Sequence, residues 1–229
     1  MQNIAIIPAR GGSQRIPQKN IKDFFGKPII AYSIEMALAS NLFDEVMVST
    51  DCSQIVSIAE KFGASIPFQR SEINSNNYAT LTDVILEVLQ NYAEQGKYFD
   101  NLCCILPTAA LITKARLTEA HTIFKDNSLS SIVPVVKFAY PIQRALKNDN
   151  GLLQLREPEY INARSQDLEP FYHDSGQFYW IKTKDMLKEK TIFTSKTGYI
   201  ELNESEAQDV DTLMDWEMLL LKFNNNNKI

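Results

Sequence analysis

The stretch NIAIIPARGGSQRIPQKN, residues 3–20, joins a short apolar run to a long polar loop. Residues 3–8 are rich in isoleucine and end at a proline that is soon followed by two glycines, which is typical of a buried strand that feeds a loop. In open α/β sheets, ligands bind outside the carboxyl ends of the strands. Residues 9–20 are therefore the first place to expect a ligand.

The rest of the chain alternates between strand and helix patterns. Further strands are predicted at residues 45–49, 65–68, 101–106, 130–136, 177–182 and 199–202, and helices at residues 28–40, 51–62, 82–92, 116–124 and 212–223. Repeated βα units predict an α/β fold with a mainly parallel sheet and helices on both faces. We expect one domain over residues 1–223, with a polar, proline-containing inserted arm at about 137–170 and a frayed tail at 224–229.

Composition narrows the class of protein. The 229 residues are 45% hydrophobic and 22% charged, which predicts a folded globular protein. The net charge of −5 argues against a broad nucleic-acid or membrane interface, so an anionic ligand must meet a local basic site. No apolar stretch approaches the roughly 20 residues of a membrane span, and a signal-peptide pattern is missing. We therefore expect a cytoplasmic protein whose three cysteines are reduced thiols.

The loop at residues 9–20 has the composition of a phosphate site. Gly11 and Gly12 let backbone N–H groups approach an anion, Ser13 adds a hydroxyl donor, and Arg10 and Lys19 add charge. The loop contains neither of the two common glycine-rich phosphate motifs. The alternative is a solvated loop with scattered cations.

A second candidate is the segment QDVDT, residues 208–212, which precedes the last predicted helix. Residues two apart on an extended segment point to the same side, so the Asp209 and Asp211 carboxylates would converge. Mg²⁺ prefers a few carboxylates together with phosphate oxygens. The alternative is that Asp211 or Thr212 only caps the helix.

These motifs carry a family resemblance. Residues 8–20 resemble the signature of the cytidylyltransferases that activate acidic sugars, the CMP-sialic acid synthetase family. The resemblance continues at residues 48–51, 107–108 and 208–212, so it covers nearly the whole chain. Two positions depart from the family pattern, since Gln14 stands where lysine is usual and Leu106 stands where sialic acid enzymes tend to have glutamine.

The segment RSQDLEPFYHDSGQFYW, residues 164–180, narrows the resemblance to the pseudaminic acid cytidylyltransferases. Arginine fits a carboxylate through two parallel hydrogen bonds, while glutamine, histidine and aspartate can sort hydroxyl and acetamido groups. Within this resemblance we expect the sugar to contact Gln143, Arg144, Arg164, Gln166, His173, Asp174 and Gln177.

The resemblance implies a Rossmann-like nucleotidyltransferase fold and a reaction of CTP with a nine-carbon acidic sugar, preferably pseudaminic acid, that gives the CMP-sugar and pyrophosphate. It assigns Arg10, Lys19, Asp209 and Asp211 to catalysis. It assigns the nucleotide to Ala9, Arg10, Gly11, Gly12, Ser13, Asn20, Arg70 and Thr80. Mg²⁺ is expected on Asp209 and Asp211, and no general base is identified.

The resemblance also implies a homodimer in which the arm reaches the partner's site, and a role in surface or flagellar glycosylation. Within the family, the alternatives are synthetases for sialic, legionaminic or ketodeoxyoctonic acid. In a different class, the chain would be a nucleotide-binding regulatory module without catalysis, an interpretation that Gln14 alone favours.

Overall fold

The computed structural model describes residues 1–126 and 128–226. The strands are β1 (Asn3–Pro8), β2 (Asp23–Phe24), β3 (Lys27–Pro28), β4 (Glu45–Ser49), β5 (Asn101–Ile105), β6 (Ser131–Lys137), β7 (Leu146–Asp149), β8 (Leu152–Leu155), β9 (Tyr172–Asp174), β10 (Phe178–Lys182) and β11 (Thr197–Leu202). The α-helices are α1 (Ile29–Ser40), α2 (Ser53–Lys61), α3 (Leu81–Glu94), α4 (Lys114–Asp126), α5 (Thr183–Glu189) and α6 (Leu213–Asn226).

Seven strands form one sheet in the order β11-β6-β10-β5-β1-β4, and β9 also pairs with β6. The pairs of β1 with β4, β1 with β5, and β11 with β6 are parallel. Strand β10 is antiparallel to both of its neighbours, and β9 is antiparallel to β6. The predicted mainly parallel sheet is confirmed, and it brings the carboxyl ends of β1, β4, β5 and β6 to one edge.

Helices cover both faces of the sheet, as predicted. Because side chains alternate along a strand, β1 sends Ala5 and Ile7 into one core and Ile4 and Ile6 into the other. The first core includes Ile34 of α1, and the second includes side chains of α3 and α5. Both cores consist of buried apolar side chains, so the sheet is a firm base for the loops at its edge.

Two local predictions were wrong. Residues 65–68 do not form a strand: Ser65 makes a single bridge to Met47, and Pro67 has no N–H with which to continue a ladder. The predicted frayed tail is helical as far as Asn226, whose Nδ2 donates to the Ser205 carbonyl at 3.1 Å. The remaining part of that prediction, residues 227–229, lies outside the described residues.

The cysteines are free thiols, as expected. Cys103 and Cys104 are buried in β5, and burial raises the pKa of Cys104 to about 12. Among the described helices, none is both long enough and apolar enough to cross a membrane.

The predicted arm at 137–170 follows β6 and carries a small hairpin formed by β7 and β8. Leu146, Leu152 and Leu153 of this hairpin are exposed. The division of the chain into one domain with an inserted arm stays a prediction.

Candidate active site

A cavity of about 300 Å³ opens at the carboxyl edge of the sheet. Strand β1 ends there at Pro8, and β5 is followed there by Leu106, Pro107 and Thr108. The predicted nucleotide residues that line it are Arg10, Ser13, Asn20, Arg70 and Thr80, and the predicted catalytic residue Lys19 lines it too. Asp209 and Asp211 line it as well, so residues from distant parts of the sequence converge here.

The loop after β1 is tied to the neighbouring strand. The Ala9 N–H donates to the Ser49 carbonyl at 2.9 Å, and the Gly11 N–H donates to Asp51 Oδ1 at 2.8 Å. A Cβ on Gly11 would lie 2.8 Å from the Cβ of Cys52, which explains why glycine stands there. Gly12 is exposed, and the space around it is open. The Gly11 N–H is therefore already occupied, and the Ser13 N–H donates to the Gly11 carbonyl at 3.1 Å, which leaves the Gly12 N–H and the Ser13 hydroxyl as the donors that the predicted cradle offers.

Asn20 closes the other end of the loop. Its Nδ2 donates to the Arg10 carbonyl at 3.0 Å, and the residue is buried. Its Oδ1 is also buried and has no hydrogen-bond partner among the described residues. An unpaired buried acceptor is costly, so this oxygen suits a donor or a cation supplied by a ligand.

The cationic side chains around the cavity are held in place. Arg10 Nη1 donates to the Asn76 carbonyl at 2.9 Å and to Asn77 Oδ1 at 2.8 Å. Arg70 is buried, and its Nε donates to Ser49 Oγ at 3.0 Å. The opposite wall includes Thr80, which caps α3 by accepting a hydrogen bond from the Asp83 N–H.

The aspartate pair is brought to the loop by a third apolar cluster. Val210, between the two aspartates, is fully buried together with Ile16 of the loop and Trp216 of α6. Lys19 Nζ donates to the Val210 carbonyl at 2.5 Å and lies 3.9 Å from Asp211 Oδ1. Burial lowers the pKa of Lys19, and the charge of Asp211 opposes this shift. Packing thus places the cations of the loop beside the carboxylates.

The two carboxylates fit a divalent cation. Burial raises the pKa of Asp209, and the nearby charge of Asp211 raises it further, so a cation between them would relieve the repulsion. Within residues 1–126 and 128–226, no three His, Cys, Asp or Glu side chains lie together around one point. Two carboxylates suffice for Mg²⁺ when a nucleotide supplies phosphate oxygens. Asp211 Oδ1 also accepts a hydrogen bond from Arg15 Nη2 at 2.7 Å.

A second cavity, of about 410 Å³, adjoins the first through Asp209 and Asp211, which line both. It also contains the predicted sugar residues His173 and Asp174. Asp174 Oδ2 accepts a hydrogen bond from the Tyr179 hydroxyl at 2.5 Å. The aspartate pair therefore stands between a nucleotide-sized cavity and a second polar cavity.

The other predicted sugar residues lie elsewhere. Gln177 is 2% exposed, and its Nε2 donates to the Glu206 carbonyl at 2.5 Å. Its amide therefore holds the backbone at Glu206 and does not face the cavity. The arm holds the remaining four, Gln143, Arg144, Arg164 and Gln166. Of these, Gln166 lines a separate cavity of about 420 Å³ at the base of the arm. This chain alone does not bring the arm residues to the aspartate pair.

Arg144 and Arg164 are engaged within the arm. Arg144 Nη2 donates to Ser165 Oγ at 2.8 Å, and Arg164 Nε donates to Asp167 Oδ2 at 2.7 Å. The Gln143 side chain is buried and donates to the Glu169 carbonyl at 2.9 Å.

Several site residues escaped the sequence analysis. Asn76 and Asn77, which hold Arg10, come from an asparagine-rich stretch whose composition could have indicated a polar wall. Gly176 has a φ of +64°, and a Cβ there would lie 3.0 Å from the Cβ of Asp209. That contact joins residues far apart in the sequence, and no local pattern announces it.

The chain is similar in sequence to several known proteins. The sequence model of the family described as cytidylyltransferase matches residues 4–224. The pseudaminic acid cytidylyltransferase of Campylobacter jejuni is 40% identical over 229 residues, which cover 100% of this chain and 99% of that protein. The CMP-N,N'-diacetyllegionaminic acid synthase of Legionella pneumophila is 32% identical over an alignment that covers 95% of this chain and 94% of that protein.

A solved structure of CMP:2-keto-3-deoxy-manno-octonic acid synthetase complexed with CTP has the same fold, with a TM-score of 0.72 at 18% identity. The alignment covers 99% of this chain and 100% of that one. The predicted nucleotidyltransferase fold and the similarity to the pseudaminic acid enzymes are thus confirmed. The chain belongs to the cytidylyltransferase family of nucleotidyltransferases.

Proposed function

We propose that this chain transfers the cytidylyl group of CTP to the anomeric hydroxyl of pseudaminic acid, giving CMP-pseudaminic acid and pyrophosphate. The observation that carries the proposal is that Asp209 and Asp211 line both cavities. A nucleotide in the first cavity and an acidic sugar in the second would meet at these carboxylates. The 40% identity to a pseudaminic acid cytidylyltransferase supports the choice of sugar.

The triphosphate is assigned to the loop. Arg10 and Lys19 supply charge, while Gly12 and Ser13 offer donors at the open end of the cradle. Lys19 also ties the loop to the aspartate segment through the Val210 carbonyl, so one side chain aligns both halves of the site. Arg70 and Thr80 line the cavity where the rest of the nucleotide would lie.

Asp209 and Asp211 are assigned to Mg²⁺, supported by their convergence and by the raised pKa of Asp209. When bound, the ion neutralises charge on the phosphates and on the entering hydroxyl oxygen. The ion pair between Arg15 and Asp211 is exposed and of little stability, so it would not prevent Asp211 from binding the ion.

The reaction is a displacement at the α-phosphorus. The sugar oxygen forms a bond to phosphorus as the bond to pyrophosphate breaks, and the hydroxyl proton passes to solvent water. Most of the catalysis then comes from positioning and charge stabilisation. Arg10 and Lys19 stabilise the departing pyrophosphate.

His173 and Asp174 are assigned to the sugar from this chain, whereas the arm residues are assigned to the site of a partner copy. A homodimer with exchanged arms would use Arg144 and Arg164 where this chain cannot. Leu146 and Leu153 of the β7–β8 hairpin support it, since both are exposed and the register of the hairpin puts them on the same face. We place the enzyme in the cytoplasm, which the free cysteines support, and in the supply of sugars for flagellin glycosylation.

The test is pyrophosphate release from CTP and Mg²⁺, with pseudaminic acid and N-acetylneuraminic acid compared at equal concentration. A preference for pseudaminic acid supports the proposal. A preference for N-acetylneuraminic acid keeps the chemistry and changes the sugar, and the legionaminic and ketodeoxyoctonic acids are then compared. Thermal stabilisation by CTP with no release for any sugar would instead support a regulatory module.

A further inference from the structure

A groove between α3 and α5 lies away from the cavities of the candidate active site. Its volume is about 460 Å³, and it is lined by the two helices and by residues 97–99, which lead into β5. Strand β5 runs from this groove to Leu106 and Pro107 at the nucleotide cavity. The groove and the candidate active site therefore lie at opposite edges of the sheet.

Apolar side chains form most of the wall of the groove. On α3 the lining residues stand at positions 86, 89, 90 and 93, a spacing that puts them on one helix face. Leu86, Leu89 and Ala93 are apolar, and Phe99 and Leu187 complete the wall. A concave and mostly apolar space of this size is typical of sites for small organic molecules.

The groove suits a small molecule better than a protein. Among the described residues that line it, Tyr98 and Leu187 are the only large apolar side chains that are exposed. A stable protein interface needs about 1,000 Å² or more of buried surface, which two side chains cannot supply.

The charges at the groove are positive. Among the described residues that line it, none carries a carboxylate, whereas Lys97 and Lys190 carry ammonium groups. The ammonium group of Lys97 is engaged elsewhere, since it pairs with Glu45 and lies over the rings of Tyr92 and Phe99. Lys190 is exposed and makes no ion pair with the described residues. Lys190 therefore offers its charge to an anionic ligand.

Thr183 offers a hydrogen-bonding group at the other end of α5. Its Oγ1 is buried and has no hydrogen-bond partner among the described residues. An unpaired buried hydroxyl costs free energy unless a ligand or a water molecule supplies the partner. Positions 183, 187 and 190 follow the spacing of one helix face, and positions 183 and 190 lie about 10 Å apart along the axis. Thr183 and Lys190 therefore mark the two ends of this wall.

We propose that the groove binds an elongated amphipathic anion. The anionic head, a carboxylate or a sulfonate, pairs with Lys190. The apolar body lies between α3 and α5, and a polar group at its far end bonds to the Thr183 hydroxyl. This site is separate from the site of cytidylyl transfer, and the inference does not depend on the proposed function.

The first test is titration of the wild type with 8-anilino-1-naphthalenesulfonate, an amphipathic anion whose fluorescence reports binding to apolar surface. We expect saturable binding at a single site. Saturating CTP should not displace the probe, because the nucleotide cavity lies at the other edge of the sheet. Displacement by CTP, or binding that does not saturate, would overturn the inference.

Two variants locate the probe in the groove. Ala93→Phe fills the groove from α3 and should weaken binding at least about 10-fold. Lys190→Glu reverses the charge and should weaken binding about 3- to 10-fold. The matched controls are Ala115→Phe on α4 and Lys188→Glu on α5, two exposed positions that do not line the groove.

Both controls should bind the probe like the wild type, and thermal unfolding of each variant shows whether it is folded. Wild-type affinity in a folded Ala93→Phe variant would overturn the site. Wild-type affinity in Lys190→Glu would overturn the assignment of the anionic head.

The role of Thr183 is tested with two competitors of the probe, decanoate and 10-hydroxydecanoate, which differ in a terminal hydroxyl. The affinity of the hydroxylated acid relative to decanoate should be about 3- to 10-fold lower in Thr183→Val than in the wild type, because one hydrogen bond is lost. The unfolding temperature should not fall, because the threonine hydroxyl has no partner to lose among the described residues. An unchanged ratio of affinities would overturn the role of Thr183.

A third competitor, naphthalene-2-carboxylate, distinguishes two sources of the same chemistry. Displacement of the probe by decanoate supports an acyl chain as the ligand, and displacement by naphthalene-2-carboxylate alone supports an aromatic acid. Displacement by neither would overturn the ligand class. None of these measurements needs turnover, so absence of pyrophosphate release would overturn the proposed function and leave this inference intact.

Discussion

Gly176 should be required for activity far more than for stability. Its φ of +64° is a left-handed conformation, which costs an alanine about 1–2 kcal/mol. For a domain of this size, that corresponds to a fall of about 2–8 °C in unfolding temperature. The same strain is expected for Gly96→Ala, where φ is +73° and nothing lies within 4 Å of the added Cβ. Gly96→Ala is therefore a matched control for strain alone.

The two glycines differ in what the added carbon meets. At Gly176 it would lie 3.0 Å from both Cβ and Cγ of Asp209 and 3.2 Å from Oδ1. Carbon atoms pack best at about 3.5–4.0 Å, so Asp209 must shift by about 0.5–1 Å. A misplacement of about 1 Å in a catalytic group can reduce the rate about 100-fold. We expect Gly176→Ala to lower kcat by about 10- to 100-fold, because Asp209 is assigned to the metal.

The assay is pyrophosphate release at saturating CTP, sugar and Mg²⁺, with thermal unfolding of the same samples. Gly96→Ala should lose a similar unfolding temperature and keep its kcat. The contrary result would be a Gly176→Ala variant that keeps the wild-type kcat while losing as much stability as Gly96→Ala. That result would refute the argument that Gly176 is needed to keep Asp209 in place.

Three further predictions concern charged groups. Asp211→Asn should reduce kcat by at least about 100-fold. Its unfolding in urea should stay close to that of the wild type, because the ion pair of Asp211 is exposed. Wild-type turnover at saturating Mg²⁺ would remove Asp211 from the site. Arg10→Ala should lower kcat/KM for CTP by about 10- to 100-fold. Lys61→Ala, at the end of α2, removes a cation away from the site and should leave kcat/KM unchanged. Equal values for the two variants would contradict the assignment of Arg10 to the triphosphate. Hydrogen bonds from Arg116 hold the pKa of Glu206 down at about 2, from an ordinary value of 4.5, so its carboxylate stabilises the fold above pH 4.5 and this contribution is lost as the pH falls towards 2. Glu206→Gln should therefore lower the free energy of unfolding at pH 7, and the gap to wild type in urea titrations should close near pH 2; a gap that does not change with pH would contradict this.

Much of the fold could be predicted because its signals are local. The apolar run of β1 and the proline and glycines after it define a buried strand and a loop, and helical periodicity defines α3 and α6. The segment at 65–68 misled for the same reason: its apolar residues suit a strand, but pairing depends on a neighbour and on the missing N–H of Pro67. Local preference alone could not decide that case.

The sequence indicated the residues of the candidate site but not all of their contacts. The loop at 9–20 and the aspartates at 209 and 211 were expected because each carries its chemistry in a short motif. The contact between the loop and the aspartate segment was not expected, since Lys19 and Val210 are 191 residues apart. They meet because Ile16 and Val210 are buried in one apolar cluster. The role of the arm stays a prediction, because Arg144 and Arg164 find hydrogen-bond partners within the arm itself.

The sequence by itself determined most of the main strands and helices and which residue types carry charge, because backbone preference and side-chain periodicity act over a few residues. Only the tertiary structure decided that β10 is antiparallel to its neighbours and that Gly176 takes a left-handed conformation. It also decided that the Ser175 hydroxyl is buried without a hydrogen-bond partner among the described residues. These features depend on atoms brought together across the sheet, where burial and close packing set which hydrogen bonds can form.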